Sequence, residues 1–182
     1  MLIYQLDAYV FRDELDFWCE QGYDYIGAPW FNNFHNADKN AEFVGVGNGG
    51  FSLRNVKNTI TVLQKISLIK AIKKRYDYLN INKTLSFYRF IFIIRYFIGL
   101  KKNKLLLEKL ISDHSINEDF TLGTYIPNLF KYRIAPIEKA YKFSFEANPS
   151  KLYALNNNEL PFGCHAWERY EFNFWRNFIV IE

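Results

Sequence analysis

The period of the apolar positions changes several times along the chain. Leu2, Ile3 and Tyr4 open it as a short apolar run ended by Gln5 and Asp7, and Tyr9, Val10 and Phe11 follow. Runs this short, rich in β-branched and aromatic residues, predict buried strands rather than helix. Residues 13–20 (DELDFWCE) predict a helical turn that Gly22 is placed to end. Residues 23–28 (YDYIGA) predict a strand stopped by Pro29, and the Asn-, Asp- and His-rich stretch 31–42 a loop. Helical periodicity runs through 56–78 and 84–112. In the first stretch Val62, Leu63, Ile66 and Ile69 share one stripe, which Leu68 and Ile72 broaden. The second contains SFYRFIFIIRYFIGL (86–100), which Arg89 and Arg95 interrupt and which is too short to span a bilayer. Asn117 or Asp119 is placed to cap a following helix. Residues 132–146 alternate as strands do, and the end is loop-rich through 156–158 and PFGCHAW. Strands interleaved with helices, without an internal repeat, predict an α/β fold with few strands.

Composition adds bounds. The 182 residues are 49% apolar and 19% aromatic, enough for one core and incompatible with a chain disordered throughout. Two cysteines, Cys19 and Cys164, exclude a disulfide scaffold and have no metal-ligand spacing, so reduced thiols are expected. The opening MLIYQLDAYVF has no basic segment and reaches Asp7 quickly, so no signal peptide is expected and the chain reads as cytoplasmic.

The net charge of +4 is unevenly spread: three basic against eight acidic side chains over 1–56, thirteen against two over 57–109, and seven against nine over 110–182. Residues 57–112 therefore read as a basic amphipathic helical insertion within a single domain spanning 1–182. Lys and Arg among Ile, Leu and Phe over 57–109 suit helices lying on an anionic membrane surface. They also suit a solvated insertion whose apolar side packs on the core. No base-reading module accompanies the charge, so nucleic acid is not an expected partner.

Four features have side chains or backbone suited to chemistry. VGVGNGGFSLRN places Gly45, Gly47, Gly49 and Gly50 within six positions, which means a tight turn or backbone that something approaches closely. No Lys-Ser/Thr follows, so it is not a phosphate-cradling lysine loop. Asp7 follows the opening strand, where it is either a turn residue or a metal ligand. Glu118 and Asp119 are adjacent acids at a helix start, which complement its dipole or supply a general base. His165 lies in Phe162-Gly163-Cys164-His165-Ala166-Trp167 as a packed ring or a ligand.

In chain order, an aspartate at a strand end, a glycine-rich turn, a Glu-Asp pair and a late histidine resemble the nucleotide-sugar glycosyltransferases of the GT-A fold. In that class a D-x-D motif holds a divalent metal, a Gly-rich loop lies by donor and acceptor, an x-E-D motif gives the base, and a C-terminal His completes the metal site. The motifs YQLDAYVF, YDYIGAPW, VGNGGFSLRN, NEDFTLG, FSFE and PFGCHAWERY more closely resemble a bacterial glycosyltransferase-like family of unknown function from polysaccharide gene clusters. The resemblance covers residues 1–56 and 113–175. It implies a GT-A-like (Rossmann-like) partial fold, a mixed sheet carrying the basic helical insertion. It also implies a hexosyltransferase-type enzyme acting in surface polysaccharide biosynthesis. Such an enzyme moves a sugar from a nucleotide-sugar donor to a glycan or lipid-linked acceptor by metal-assisted single displacement.

Carried over by position, Asp7 matches the last acid of D-x-D while Gln5 stands where the first would be. Asp7 and His165 would then hold Mn²⁺ or Mg²⁺ on the donor diphosphate. Asn48, Gly49 and Gly50 match the glycine loop, Asp119 the base, and Glu118 the acid beside it. Trp30 and Trp167 would stack on sugar faces. GT-A folds place nucleotide-binding strands before D-x-D, whereas six residues precede Asp7. The expectation is a chain lacking its N-terminal nucleotide-binding part, with weak donor binding and a sheet edge open to pairing in a homo-oligomer. The alternative is a truncated, non-catalytic carbohydrate-binding protein or a peripheral membrane interaction protein at the inner face of the membrane.

Overall fold

The computed structural model describes residues 1–33, 36–38, 40–81, 104–112 and 117–180. It is a mixed α/β arrangement of small sheets. In the first sheet, β1 (Leu2–Tyr4) and β3 (Tyr25–Ile26) flank β6 (Phe51–Arg54), both antiparallel to it. In the second, β8 (Gly163–His165) lies between β2 (Ala8–Val10), antiparallel, and β7 (Ser144–Phe145), parallel. β4 (Ala28–Phe31) and β5 (Phe43–Gly47) form an antiparallel pair whose register shifts between Trp30 and Phe31.

The side-chain alternation of strands partitions the core. On β3, Tyr25 faces a cluster with Val62, Ile66, Leu107 and Leu122, while neighbouring Ile26 faces one with Trp18, Phe51, Phe143 and Phe162. A third cluster gathers Phe31, Phe145, Cys164 and Trp175. Each large side chain removed from water in this way contributes about 1.5–3 kcal/mol.

Helix α1 (Leu15–Glu20) forms where the pattern predicts it, and Gly22 follows at φ +67°, the left-handed conformation that ends helices. Pro29 does not stop a strand. It lies within β4 opposite Val46, and β4 is paired on one side only among the described residues, so a missing N–H is tolerated there. The alternation over 132–146 yields little strand. Ile134 makes a single bridge to Tyr25, then α6 (Ile137–Phe143) starts after Pro136 and β7 follows it. Ala140 and Phe143, three apart and both buried, fit helical spacing as well as the alternating pattern did.

Helix α2 (Val56–Ile81) and helix α3 (Lys104–Ser112) make up the described part of the basic segment. The inward stripe of α2 is Val62, Ile66, Ile69 and Ile72, packed with Leu107 and Leu110 of α3. Leu63 and Leu68, expected on that stripe, are exposed by 47% and 62%. With Val56 and Ile60 also exposed, α2 carries apolar residues on more than one face. The apolar run 86–100 lies outside the described residues. Among the described residues no helix is long and apolar enough to cross a membrane.

The two cysteines are free, and they differ in environment. Cys19 is exposed, whereas Cys164 is fully buried and burial pushes its thiol far above the ordinary range. A thiol-specific chromogenic reagent is therefore expected to titrate one thiol per native chain and two in denaturant, Cys164 reacting at least about 100-fold more slowly before unfolding.

Candidate functional site

The turn Gln5-Leu6-Asp7 links β1 to β2, so it joins the two three-stranded sheets. Gln5 N–H donates to Gly50 O at 2.9 Å, tying this turn to the glycine turn ahead of β6. The register does the rest. β2 sets Ala8 opposite His165, and the parallel pairing of Phe145 with Cys164 brings Glu146 alongside the ring. His165 Nδ1 lies 2.8 Å from Glu146 Oε1, while Nε2 lies 3.2 Å from Asp7 Oδ1 and 3.1 Å from Gln5 Oε1. Burial favours the neutral ring, but the hydrogen bond and charge of Glu146, with Asp7, outweigh it and raise the imidazole above its usual pKa. Glu146 is itself buried, and its Oε2 has no hydrogen-bond partner among the described residues.

Asn48 builds the glycine turn. It is buried at φ +140°, and its Oδ1 accepts from Gly50 N–H at 2.7 Å and Phe51 N–H at 3.1 Å. Its carbonyl accepts from the Tyr25 hydroxyl at 3.0 Å. The two glycines that follow face different groups. A Cβ on Gly50 would overlap Nε2, Cδ2 and Cε1 of His165, so at this position the bare backbone admits the imidazole. A Cβ on Gly49 would stand 3.6 Å from both Glu118 carboxylate oxygens and 3.7 Å from Asp119 Oδ2. Residues from three distant motifs thus converge on two adjacent glycines, Gln5 and His165 on Gly50 and the Glu118-Asp119 pair on Gly49.

Glu118 and Asp119 open α4 (Glu118–Phe120), which runs through a π-helical turn, Thr121–Tyr125, into α5 (Ile126–Leu129). Gly123, within that turn, lies on β5, where a Cβ would overlap the Val46 carbonyl. The close seating holds the helix start against Gly49. Asn117 occupies the cap position, but its side chain makes no cap bond. Instead Glu118 Oε2 accepts from Asp119 N–H and Asp119 Oδ1 from Phe120 N–H.

The two acids are not equivalent. Arg54 Nη2 donates to Glu118 Oε1 at 2.7 Å. Arg54 is nearly buried, held by Ser52 Oγ at 3.1 Å and the Tyr25 ring at 5.6 Å. Glu118 is pinned, which leaves Asp119 Oδ2 facing the turn. Sequence reasoning gave no role to Arg54 or Glu146. Both stand in quoted motifs, Arg54 in VGNGGFSLRN and Glu146 in FSFE, so a signal was present without a partner to explain it.

Trp30 is buried by Phe120, whose ring lies 5.8 Å away at 22°, and by Gly47, whose absent Cβ makes room for the indole. Its ring packs against protein, so the expected sugar platform is a core residue. Trp167 is partly buried and stacks on Phe172 at 6.0 Å.

A divalent ion has a partial donor set here. Among the described residues no three His, Cys, Asp or Glu side chains form a metal-ready group, and Glu146 sits on the Nδ1 side of His165. On the Nε2 side there are one carboxylate, one imidazole and the amide oxygen of Gln5. Their 3.1–3.2 Å separations from Nε2 are close to the roughly 3 Å edge between neighbouring ligands of an octahedral ion. A hard cation held by so few protein groups keeps positions for diphosphate oxygens and water. The Glu146–His165 bond would orient the ring as carboxylates behind metal-bound histidines do. Glu146→Gln is therefore expected to weaken Mn²⁺ binding by roughly 10–100-fold, measured by quenching of water-proton relaxation enhancement.

A family described as protein of unknown function (DUF5672) matches residues 1–165, and the chain belongs to that family. No curated protein matches the chain, and no solved structure does.

Proposed function

We propose that this member of the DUF5672 family is a GT-A-like glycosyltransferase that moves a sugar from a nucleotide-sugar donor to a glycan or lipid-linked acceptor in surface polysaccharide assembly. One observation carries the reading. His165 lies against Gly50 and the Glu118-Asp119 pair against Gly49, while Asp7 reaches the same histidine at 3.2 Å, although these three motifs are far apart in sequence. Their separate motif matches would otherwise have no reason to meet. The mixed β2-β8-β7 sheet, with ligand-type residues at the ends of its strands, is the coarse architecture such a site needs.

In the proposed reaction an acceptor hydroxyl gives its proton to Asp119 Oδ2. Its oxygen forms a bond to the anomeric carbon as the bond from that carbon to the diphosphate oxygen breaks, and the electron pair leaves on the nucleoside diphosphate. A single base without a covalent intermediate inverts the anomeric configuration. Arg54 and Glu118 fix the start of α4 and so aim Asp119. Asp7, His165 and Gln5 would hold Mn²⁺ or Mg²⁺, which when bound neutralises charge on the leaving diphosphate. A lipid-linked acceptor would bring the protein to the inner face of the membrane.

The test incubates the protein with a panel of nucleotide-sugars and Mn²⁺ and measures nucleoside diphosphate release. Release from at least one donor, abolished by a chelator, is the expected result. Absence of release from every donor, with retained binding to glycans, would instead favour the carbohydrate-binding alternative.

A further inference from the structure

A cleft lies away from the glycine turn. It has a volume of about 810 Å³ and opens between the first turns of α2 and the segment that follows α5. β6 separates the two places: Gly50 precedes it, and Asn55, which lines the cleft, follows it. Three cations line the cleft from two directions, Lys65 on α2 and Lys131 and Arg133 on the 131–133 segment. None of the three has a carboxylate partner within ion-pair distance among the described residues. Arg133 is exposed and stacks over Tyr23 at 4.8 Å, which holds the guanidinium plane while leaving its edge for a ligand.

The single carboxylate in the wall, Asp24, is committed elsewhere. It is buried, and its Oδ1 accepts from Asn55 Nδ2 at 3.1 Å and Asn58 Nδ2 at 2.7 Å, its Oδ2 from Arg133 N–H at 2.8 Å. Three cations against one saturated anion leave the cleft with an excess of two positive charges. Val62 and Phe130 supply an apolar wall. The volume is that of a small-molecule site rather than a bare-ion site.

We infer that this cleft binds a phosphate-bearing ligand, with Arg133 taking phosphate oxygens in a forked pair and Lys65 and Lys131 neutralising the remaining charge. This inference does not depend on the reading of the glycine-turn site. Either a phospholipid headgroup or a soluble phosphorylated molecule presents this chemistry.

Two probes separate those sources: inorganic pyrophosphate by calorimetry, and flotation with phosphatidylcholine vesicles containing phosphatidylglycerol. Variants are Lys131→Glu/Arg133→Glu in the cleft and Lys70→Glu/Lys74→Glu on α2 outside it. Lys65→Gln, on a different element, serves as a second cleft variant should the first fold poorly. The cleft double variant is expected to lose at least about 10-fold in affinity for whichever probe binds, and the outer pair less than about 2-fold. Vesicle binding competed by pyrophosphate assigns the site to a lipid headgroup. Pyrophosphate binding without vesicle binding assigns it to a soluble ligand. Equal losses in both double variants, or no binding of either probe, would overturn the inference. Mn²⁺-dependent nucleotide binding at the glycine turn should be unchanged in all of these variants, so failure here is distinguishable from failure there.

Discussion

Asp119→Asn is expected to lower kcat by roughly 10²–10⁴-fold, the contribution of a positioned general base, while leaving the protein folded. Asp119 Oδ1 accepts from Phe120 N–H at 2.7 Å, and an asparagine oxygen accepts that bond equally well. What the substitution removes is Oδ2, the atom facing Gly49, which becomes an amide nitrogen unable to take a proton. Glu118→Gln gives the contrast. It weakens the charge pair with Arg54, so its effect should be indirect and smaller, with Arg54 left nearly buried beside a neutral partner. Steady-state turnover and thermal unfolding on the same preparations check both variants. An Asp119→Asn protein that turns over at the wild-type rate would remove Asp119 from the mechanism.

Gly50→Ala is the second large effect. Gly50 does not have a positive φ, so alanine meets no backbone strain there, and the cost is steric alone. The added methyl would overlap three atoms of the His165 ring. That ring cannot simply withdraw: its Nδ1 is held by buried Glu146 at 2.8 Å, and its backbone is paired with Ala8 in the β2–β8 ladder. The alternative is for the turn to open, which breaks the Gln5 N–H to Gly50 O bond and separates the two sheets at their junction. Either route moves Nε2 away from Asp7 and Gln5. Overpacking of this kind costs about 1–3 kcal/mol of stability, and Mn²⁺ affinity should fall by at least about 10-fold. Urea denaturation and metal titration measure the two effects separately. Unchanged metal affinity in this variant would show that His165 Nε2 is not a ligand.

Much of this site is visible in the sequence, and the reason is local chemistry. Glycines at 49 and 50 mark backbone approached closely, an acidic pair at 118–119 marks a helix start, and an aspartate at 7 marks the end of a strand; each signal needs only its own neighbours. What joins them is register, which the sequence does not display. Glu146 reaches His165 because Phe145 pairs with Cys164 in parallel, a long-range fact invisible in the alternating pattern of 132–146. The same pattern reads as strand until Pro136 starts a helix in which Ala140 and Phe143 satisfy the core. Arg54 was hidden for a related reason, since its partner Glu118 is 64 residues away. Leu63 and Leu68 fit the periodic stripe on α2 yet face outward, because apolar residues occupy more than one face of that helix and periodicity alone does not say which face turns inward. Trp30 has the composition of a sugar platform, but Gly47 and Phe120 make it part of the interior.

The most direct test of the central claim is calorimetric titration of UDP, and in parallel GDP, into the wild-type chain and His165→Ala, with Mn²⁺ and then with a chelator. If Asp7, Gln5 and His165 hold a divalent ion on a diphosphate beside Gly49 and Gly50, one nucleotide binds only with Mn²⁺ present, and His165→Ala weakens that binding by at least about 10-fold. No heat with either nucleotide, or binding of equal strength with the chelator and in His165→Ala, would contradict it.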